Sequence, residues 1–239
     1  MIPPTSIDGT DITGATIDGT DVQEITVDGD VVFSAEPQVP TQGLLHHWDW
    51  SAPSSTTSFV EDLAGSVDAT GTFNGFGTIN GKQSGSFTGG ANFETSSLQS
   101  FSSNRLIATV FQSDPAQTSA TQAIWDNASG DQVVHWEKNG FYRFLQQGPI
   151  IQGGNSSAAP HISLVQIDTT DIIRIDGNQI ASGDAGNETM NNMQFGTTIG
   201  GGVFDLLGEI GEILMYDLSN APPFSDIEDY LSASWGNII

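Results

Sequence analysis

Along most of the chain, apolar and polar residues alternate over short stretches, and a period of two predicts strands rather than helices. Phe141-Tyr142-Arg143-Phe144-Leu145, His161 to Ile167 and Ile210 to Tyr216 read this way. In Leu44 to Trp50 the alternation places Leu44, Trp48 and Trp50 on one face and His47 and Asp49 on the other. Leu106 to Phe111 is apolar on both faces, as a central strand covered from two sides should be. Ile172-Ile173-Arg174-Ile175 and Gln179-Ile180-Ala181 flank Asp176-Gly177-Asn178. An Asp-Gly pair between two such runs predicts a hairpin, because both central residues of a type I′ turn need positive φ. From Gly43 onward the stretches are divided by Gly, Ser, Asn and Asp at intervals of about 8–12 residues, the spacing expected of an all-β sandwich or barrel.

The two ends depart from this pattern. At the C-terminus Ile227, Tyr230, Leu231, Ser234 and Trp235 fall on one face of a helix, and Gly236 can end it. Ser225 with Glu228 three residues on predicts a capping box at its start. At the N-terminus Ile7-Asp8-Gly9-Thr10-Asp11-Ile12 recurs as Ile17-Asp18-Gly19-Thr20-Asp21-Val22 and, more loosely, as Val27-Asp28-Gly29-Asp30-Val31-Val32. Each copy sets β-branched residues around an Asp-Gly pair, so residues 1–35 are expected to form successive short hairpins. So few residues cannot bury a core alone, which predicts an anchoring or oligomerising segment. Glu36-Pro37-Gln38-Val39-Pro40-Thr41-Gln42 reads as a linker, because its prolines favour extended backbone. Residues 36–42 are therefore assigned to the linker and 43–239 to the main domain.

Charge narrows the partners. The 239 residues include 29 Asp and Glu against 5 Lys and Arg, a formal net charge of -24. The cations Lys82, Arg105, Lys138, Arg143 and Arg174 are scattered, which argues against nucleic acid and anionic membranes. No cysteine is present, so disulfides and thiolate sites are excluded. No run is long and apolar enough to span a bilayer, and Met1-Ile2-Pro3-Pro4-Thr5 lacks the regions of a signal peptide. Scarce lysine amid abundant carboxylate fits adaptation to molar salt, where self-repulsion is screened within about 3 Å.

Residues 43–239 resemble a concanavalin A-like or laminin G-like jelly roll. The resemblance rests on Gly43-Leu44-Leu45-His46-His47-Trp48, on the hairpin Ile172 to Ile180, on Ile199-Gly200-Gly201 with Leu207 to Asp217, and on Ile227 to Gly236. It implies a jelly-roll sandwich with a short C-terminal helix, and it leaves room for an unplaced structural calcium ion at the rim. Residues 1–33 are similar to Ile-Asp-Gly-Thr-Asp-Val segments in structural proteins of tailed viruses, haloarchaeal ones included. The resemblances together imply a virion surface protein (tail fibre, spike or capsid turret) assembled in the host cytoplasm as a homo-oligomer with other virion proteins, contacting host glycans or stabilising the particle. The alternative is a carbohydrate-binding module of a cellular surface or exported protein.

Enzymatic chemistry finds little purchase in the residues. Glu209 and Glu212, three apart on one strand, are expected on opposite faces, whereas paired glycosidase carboxylates must share one. The four histidines, His46, His47, His135 and His161, show no metal-binding spacing, so no catalytic residue, metal ligand or cofactor is assigned. The Asp residues of the N-terminal repeat do not follow the calcium-loop spacing. Sugars stack on aromatic rings, and Trp125, Trp136 and Tyr142 sit beside Asp126, Asn127 and Asn139. Trp125, Trp136, Tyr142 and Asn127 are therefore the expected glycan-binding residues, with a place in the core as the competing role for the three aromatics.

Overall fold

The N-terminal repeat folds as the Asp-Gly spacing requires. Ser6–Ile7 pairs with Thr10–Asp11, Thr16–Ile17 with Thr20–Asp21, and Glu24–Val27 with Asp30–Ser34, all antiparallel. The innermost pairs, Ile7 with Thr10, Ile17 with Thr20 and Val27 with Asp30, each enclose two residues. The structure, a computed structural model, describes residues 6–7, 10–11, 16–17, 20–21, 24–27, 30–34, 37–89, 92–95, 97–113, 121–128, 133–197 and 205–239. The Asp-Gly turns themselves, Glu36 of the linker, and Ile199-Gly200-Gly201 lie outside the described residues. Contacts divide the chain into two compact units, Met1–Gln38 and Val39–Ile239.

The second unit is a sandwich of two antiparallel sheets, each of eight strands. One, the helix-side sheet, runs in the order Gly75–Ile79, Lys82–Thr88, Leu207–Asp217, Arg105–Ser113, His161–Ile167, Asp171–Ile175, Asn178–Gly183, with Leu44–Asp49 also paired to Leu207–Asp217. The other, the open sheet, runs Ile151–Gly153, Phe141–Gln146, Val133–Lys138, Gln122–Asn127, Met193–Phe195, Asn92–Thr95, Ala69–Thr72, Phe59–Val60. The Asp171–Ile175 hairpin turns as expected, with Asp176 at φ 49 and Gly177 at φ 77.

Between the sheets lies an aromatic core in which Trp48, Trp50, Phe87, Phe93, Trp125, Phe144 and Phe195 are fully buried. Edge-on packing of Trp50 against Phe195, with centroids 5.6 Å apart at 87°, is the arrangement aromatic quadrupoles favour. A second apolar layer covers the opposite face of the helix-side sheet. There Leu106, Ala108, Val110, Ile162, Leu164 and Leu214 meet Ile227, Leu231 and Trp235 of the C-terminal segment. Leu106 to Phe111 is thus buried from both sides, as its largely apolar text predicts. The one helix among the described residues, Phe224–Ser234, is too short to cross a membrane.

Three local expectations change. The helix begins after Pro223 with no side-chain cap, so the Ser225/Glu228 capping box does not form. Glu228 instead makes a two-pronged bond to Arg174, with Nε and Nη2 each at 2.9 Å. A fork of this kind outcompetes a neutral cap because both partners are charged. Leu44 does not share a face with Trp48 and Trp50, because the pairing slips between Met215 and Tyr216 and turns Leu44 to the helix side. Another slip, between Val110 and Phe111, leaves Gly211 unpaired. Ile210 and Ile213 both enter the inter-sheet core, which leaves Glu209 and Glu212 on the same, helix-side face.

Asp62 organises the loop after Leu44–Asp49. Its Oδ1 accepts from the backbone N–H of His47 at 2.9 Å and Gly65 at 2.9 Å, and its Oδ2 from Val67 N–H at 3.0 Å and His46 Nδ1 at 2.7 Å. Burial pushes the carboxyl up, but these donors outweigh it and hold Asp62 at about 2. Asp62→Asn replaces one acceptor by a donor facing donors, and should cost about 2 kcal/mol in urea unfolding. Loss of under about 0.5 kcal/mol would show that water satisfies the loop as well.

Candidate functional site

The helix closes one outer face of the sandwich, that of the helix-side sheet, and no helix of the described residues packs on the outer face of the other, open sheet. Register fixes which residues stand on it. The hairpin Val133–Lys138 and Phe141–Gln146 sends Val133, Tyr142 and Phe144 into the core, so Val134, Trp136, Lys138, Phe141, Arg143 and Leu145 take the other side. Across the strands Lys138 stands opposite Phe141, and Ala123, Trp136, Arg143 and Gln152 form one continuous row. The next row runs Leu145, Val134, Asp126, Gln194, Glu94, Thr70, Phe59. Within these rows Ala123, Trp136, Asp126 and Gln194 are buried, and an exposed part lies at the Phe141 end of the hairpin, beside Lys138, Arg143 and Gln152.

The four residues expected to bind glycan do not come together on this face. Trp125 and Tyr142 are fully buried between the sheets, their rings packed on His135 and Phe111 at 5.5 Å and 5.9 Å. Asn127 is also buried, donating through Nδ2 to Thr189 O at 2.9 Å and accepting from Asn191 N–H at 3.2 Å, which ties a neighbouring segment to the strand. Trp136 stands on the outer face but is only 6% exposed, so its ring offers no surface for stacking. The expectation is corrected to that extent, since a local aromatic-and-amide text does not say which side of a strand a ring takes. The exposed ring on this face is Phe141, 41% exposed, at the mouth of the Asn139-Gly140 turn. Sequence reading placed Phe141 in a strand and missed it as a binding residue. Its signal was its position directly after an Asn-Gly turn, in phase with Arg143 and Leu145.

On the helix side lies a buried polar cluster. Glu212, fully buried, accepts from Tyr230 Oη on Oε1 and from Trp235 Nε1 on Oε2, both at 2.7 Å. His47 Nε2 stands 2.8 Å from Oε1, near enough for an ion pair but off the line of a hydrogen bond. Burial pushes the Glu212 carboxyl up, and the nearby His47 together with the Trp235 and Tyr230 donors more than offsets it, leaving it below its ordinary value. Beside it Asp49 is raised, by burial first and by the Glu212 charge second. The ligand atoms of His47, Asp49 and Glu212 lie within 4.8 Å of one another, a set that could hold a cation. Both Glu212 oxygens are already engaged, and Lys82 Nζ sits 3.9 Å from Asp49 Oδ2, so the cluster is balanced without one. Glu209 accepts from Ser84 Oγ at 2.7 Å and is raised by burial.

No family model and no curated protein sequence matches the chain. Solved structures do match. A sialidase of Trypanosoma rangeli, solved with 2,3-difluorosialic acid, is similar over 88% of this chain and 36% of its own, with 15% identity and a TM-score of 0.61. The binding domain of botulinum neurotoxin serotype D matches 81% of this chain and 52% of its own, at 8% identity and a TM-score of 0.62. Domain 4 of an extracellular arabinanase from Geobacillus stearothermophilus, solved with arabinotriose, matches over 79% of this chain and 98% of its own, at 15% identity and a TM-score of 0.56. The chain thus spans about a third of the sialidase and nearly all of the arabinanase domain, and it shares with them a β-sandwich fold.

Proposed function

We propose that residues 39–239 are a carbohydrate-binding module that takes glycan on the outer face of the open sheet, with Phe141 as the stacking ring. The single observation that carries this is the exposed Phe141 on the outer side of its sheet, bordered by Lys138, Arg143 and Gln152, which can hydrogen-bond hydroxyls while a sugar lies on the ring. The architecture shared with an arabinanase domain solved with arabinotriose supports the same reading. Of the two readings drawn from the sequence, the comparisons favour this one over a virion structural protein. The module is non-enzymatic in this reading, because both oxygens of Glu212 are bound by Tyr230 and Trp235 and Oε2 of Glu209 accepts from Ser84.

A glycan array followed by calorimetry on the best hit tests it. Phe141→Ala is expected to weaken binding about tenfold, the loss of one stacked ring, while the melting temperature stays within a degree or two. Trp136→Ala should instead destabilise the fold, since that ring is buried. Unchanged affinity in Phe141→Ala would move the site off this face, and absence of any glycan ligand would remove the reading.

A further inference from the structure

Five cations on a chain of charge -24 are few enough to follow one by one. Lys82 lies 3.9 Å from Asp49 and 4.2 Å above the Trp235 ring. Arg174 is bonded twice to Glu228. Arg105 donates to Asn104 O at 2.9 Å, lies over Phe101, and feels the Asp217 charge. All three serve the fold. Lys138 and Arg143 make no ion pair with a described carboxylate, and Arg143 Nε is buried without a hydrogen-bond partner. Both stand on the outer face of the open sheet, Lys138 opposite Phe141 and Arg143 two residues further along the Phe141 strand. The described carboxylates on that face, Asp126 and Glu94, stand in the next row, toward the far edge of the sheet.

A buried guanidinium Nε without a partner costs desolvation that no described hydrogen bond offsets, and the natural partner of such a group is an anion brought by a ligand. The overall negative charge does not forbid this. Charges beyond about 8–10 Å are screened at physiological salt, whereas contact at about 4 Å in a partly dry site is worth several times its value in water. Resting on the carbohydrate reading above, we propose that the module selects anionic saccharides, with a carboxylate or sulfate of the sugar held between Arg143 and Lys138 while the ring lies on Phe141. An acidic protein thus keeps its two uncommitted cations for an acidic ligand.

The test compares the full chain against galacturonate or sulfated-galactose oligomers and their neutral parents by calorimetry, at about 0.05 and 0.5 M NaCl. The anionic oligomers should bind at least tenfold tighter, and should lose that margin at the higher salt. Arg143→Gln and Lys138→Gln should each remove most of the margin, weakening the anionic oligomers far more than the neutral ones, while the melting temperature holds. Equal or tighter binding of the neutral oligomers overturns the anionic selection and leaves the carbohydrate reading standing. Binding of neither, alongside an array without hits, overturns both. An anionic preference that survives in both variants also overturns the assignment, since it would then reside elsewhere on the chain.

Discussion

Replacing Trp235 by alanine is expected to lower unfolding free energy by about 4 kcal/mol and to loosen the C-terminal helix from the sheet. The ring is fully buried and fills the space over Gly211, where even a single methyl carbon would stand 2.6 Å from it. Its removal empties a volume that sheet and helix, both rigid, cannot collapse to fill. Its Nε1 is also one of the donors to the buried Glu212, and a buried carboxylate that loses a donor costs about 1–3 kcal/mol. For a domain near 200 residues this corresponds to a melting point lower by roughly 10 °C. Urea unfolding gives the free energy, and hydrogen exchange across Phe224–Ser234 shows where it is lost. Trp235→Phe separates the terms, keeping most of the packing while losing the hydrogen bond, and should cost about half as much. A Trp235→Ala cost under 1 kcal/mol would mean the helix is an accessory to the sandwich rather than its second core.

Acid should act mainly through His135. This imidazole is fully buried between the sheets against Trp125, and burial pushes its pKa down from the usual 6.5 to about 4, with a smaller opposing effect from its Nδ1 bond to Arg143 O. Nδ1 donates there, so Nε2 is bare and buried, and protonation would place an uncompensated charge in an apolar layer. The unfolded chain takes up the proton near 6.5 and the folded one only near 4, so stability declines as pH falls through that window, by about 3 kcal/mol in all. Asp49, Asp171 and Glu209 pull the other way, because burial raises their carboxyls and makes protonation easier in the folded state. The difference between wild type and His135→Leu therefore isolates the imidazole. Denaturant unfolding at pH 7.5, 5.5 and 4 should show the gap narrowing or reversing as pH falls. A constant gap would place a charged or solvated histidine at this position. Below pH 4 the loss of Asp62, held at about 2, continues the decline.

Legibility tracked how local each signal was. The N-terminal hairpins and the Asp176-Gly177 turn were readable because turn chemistry is written in adjacent residues. The central position of Leu106 to Phe111 was readable because a strand covered on both faces is largely apolar on both. The helix face of Ile227, Leu231 and Trp235 followed from its period. Side assignment failed where one residue is inserted. Slips in pairing opposite Tyr216 and Phe111 reversed the expected faces of Leu44 and of Glu209 relative to Glu212. A bulge shifts every downstream side chain by one, and its sequence mark, a Leu or a Gly in a strand, is common elsewhere. The candidate site was half legible. The aromatic residues of this hairpin were readable as strand residues, yet Trp125 and Tyr142 turn inward, Trp136 is covered, and the exposed ring is Phe141. Aromatic text is the same whether a ring faces a core or a ligand.

The sequence by itself determined the class of the fold, its turns, its hairpin repeat and the poverty of cations that makes each one worth following. Those features depend on residues near one another in the chain, or on composition alone. Tertiary structure decided which sheet face the helix covers, and it decided that three cations are consumed by Asp49, Glu228 and the Asn104–Asp217 region while Lys138 and Arg143 are left beside Phe141. Pairing partners more than 50 residues apart, as Arg174 and Glu228 are, is a property of the packed sandwich, and no local pattern carries it.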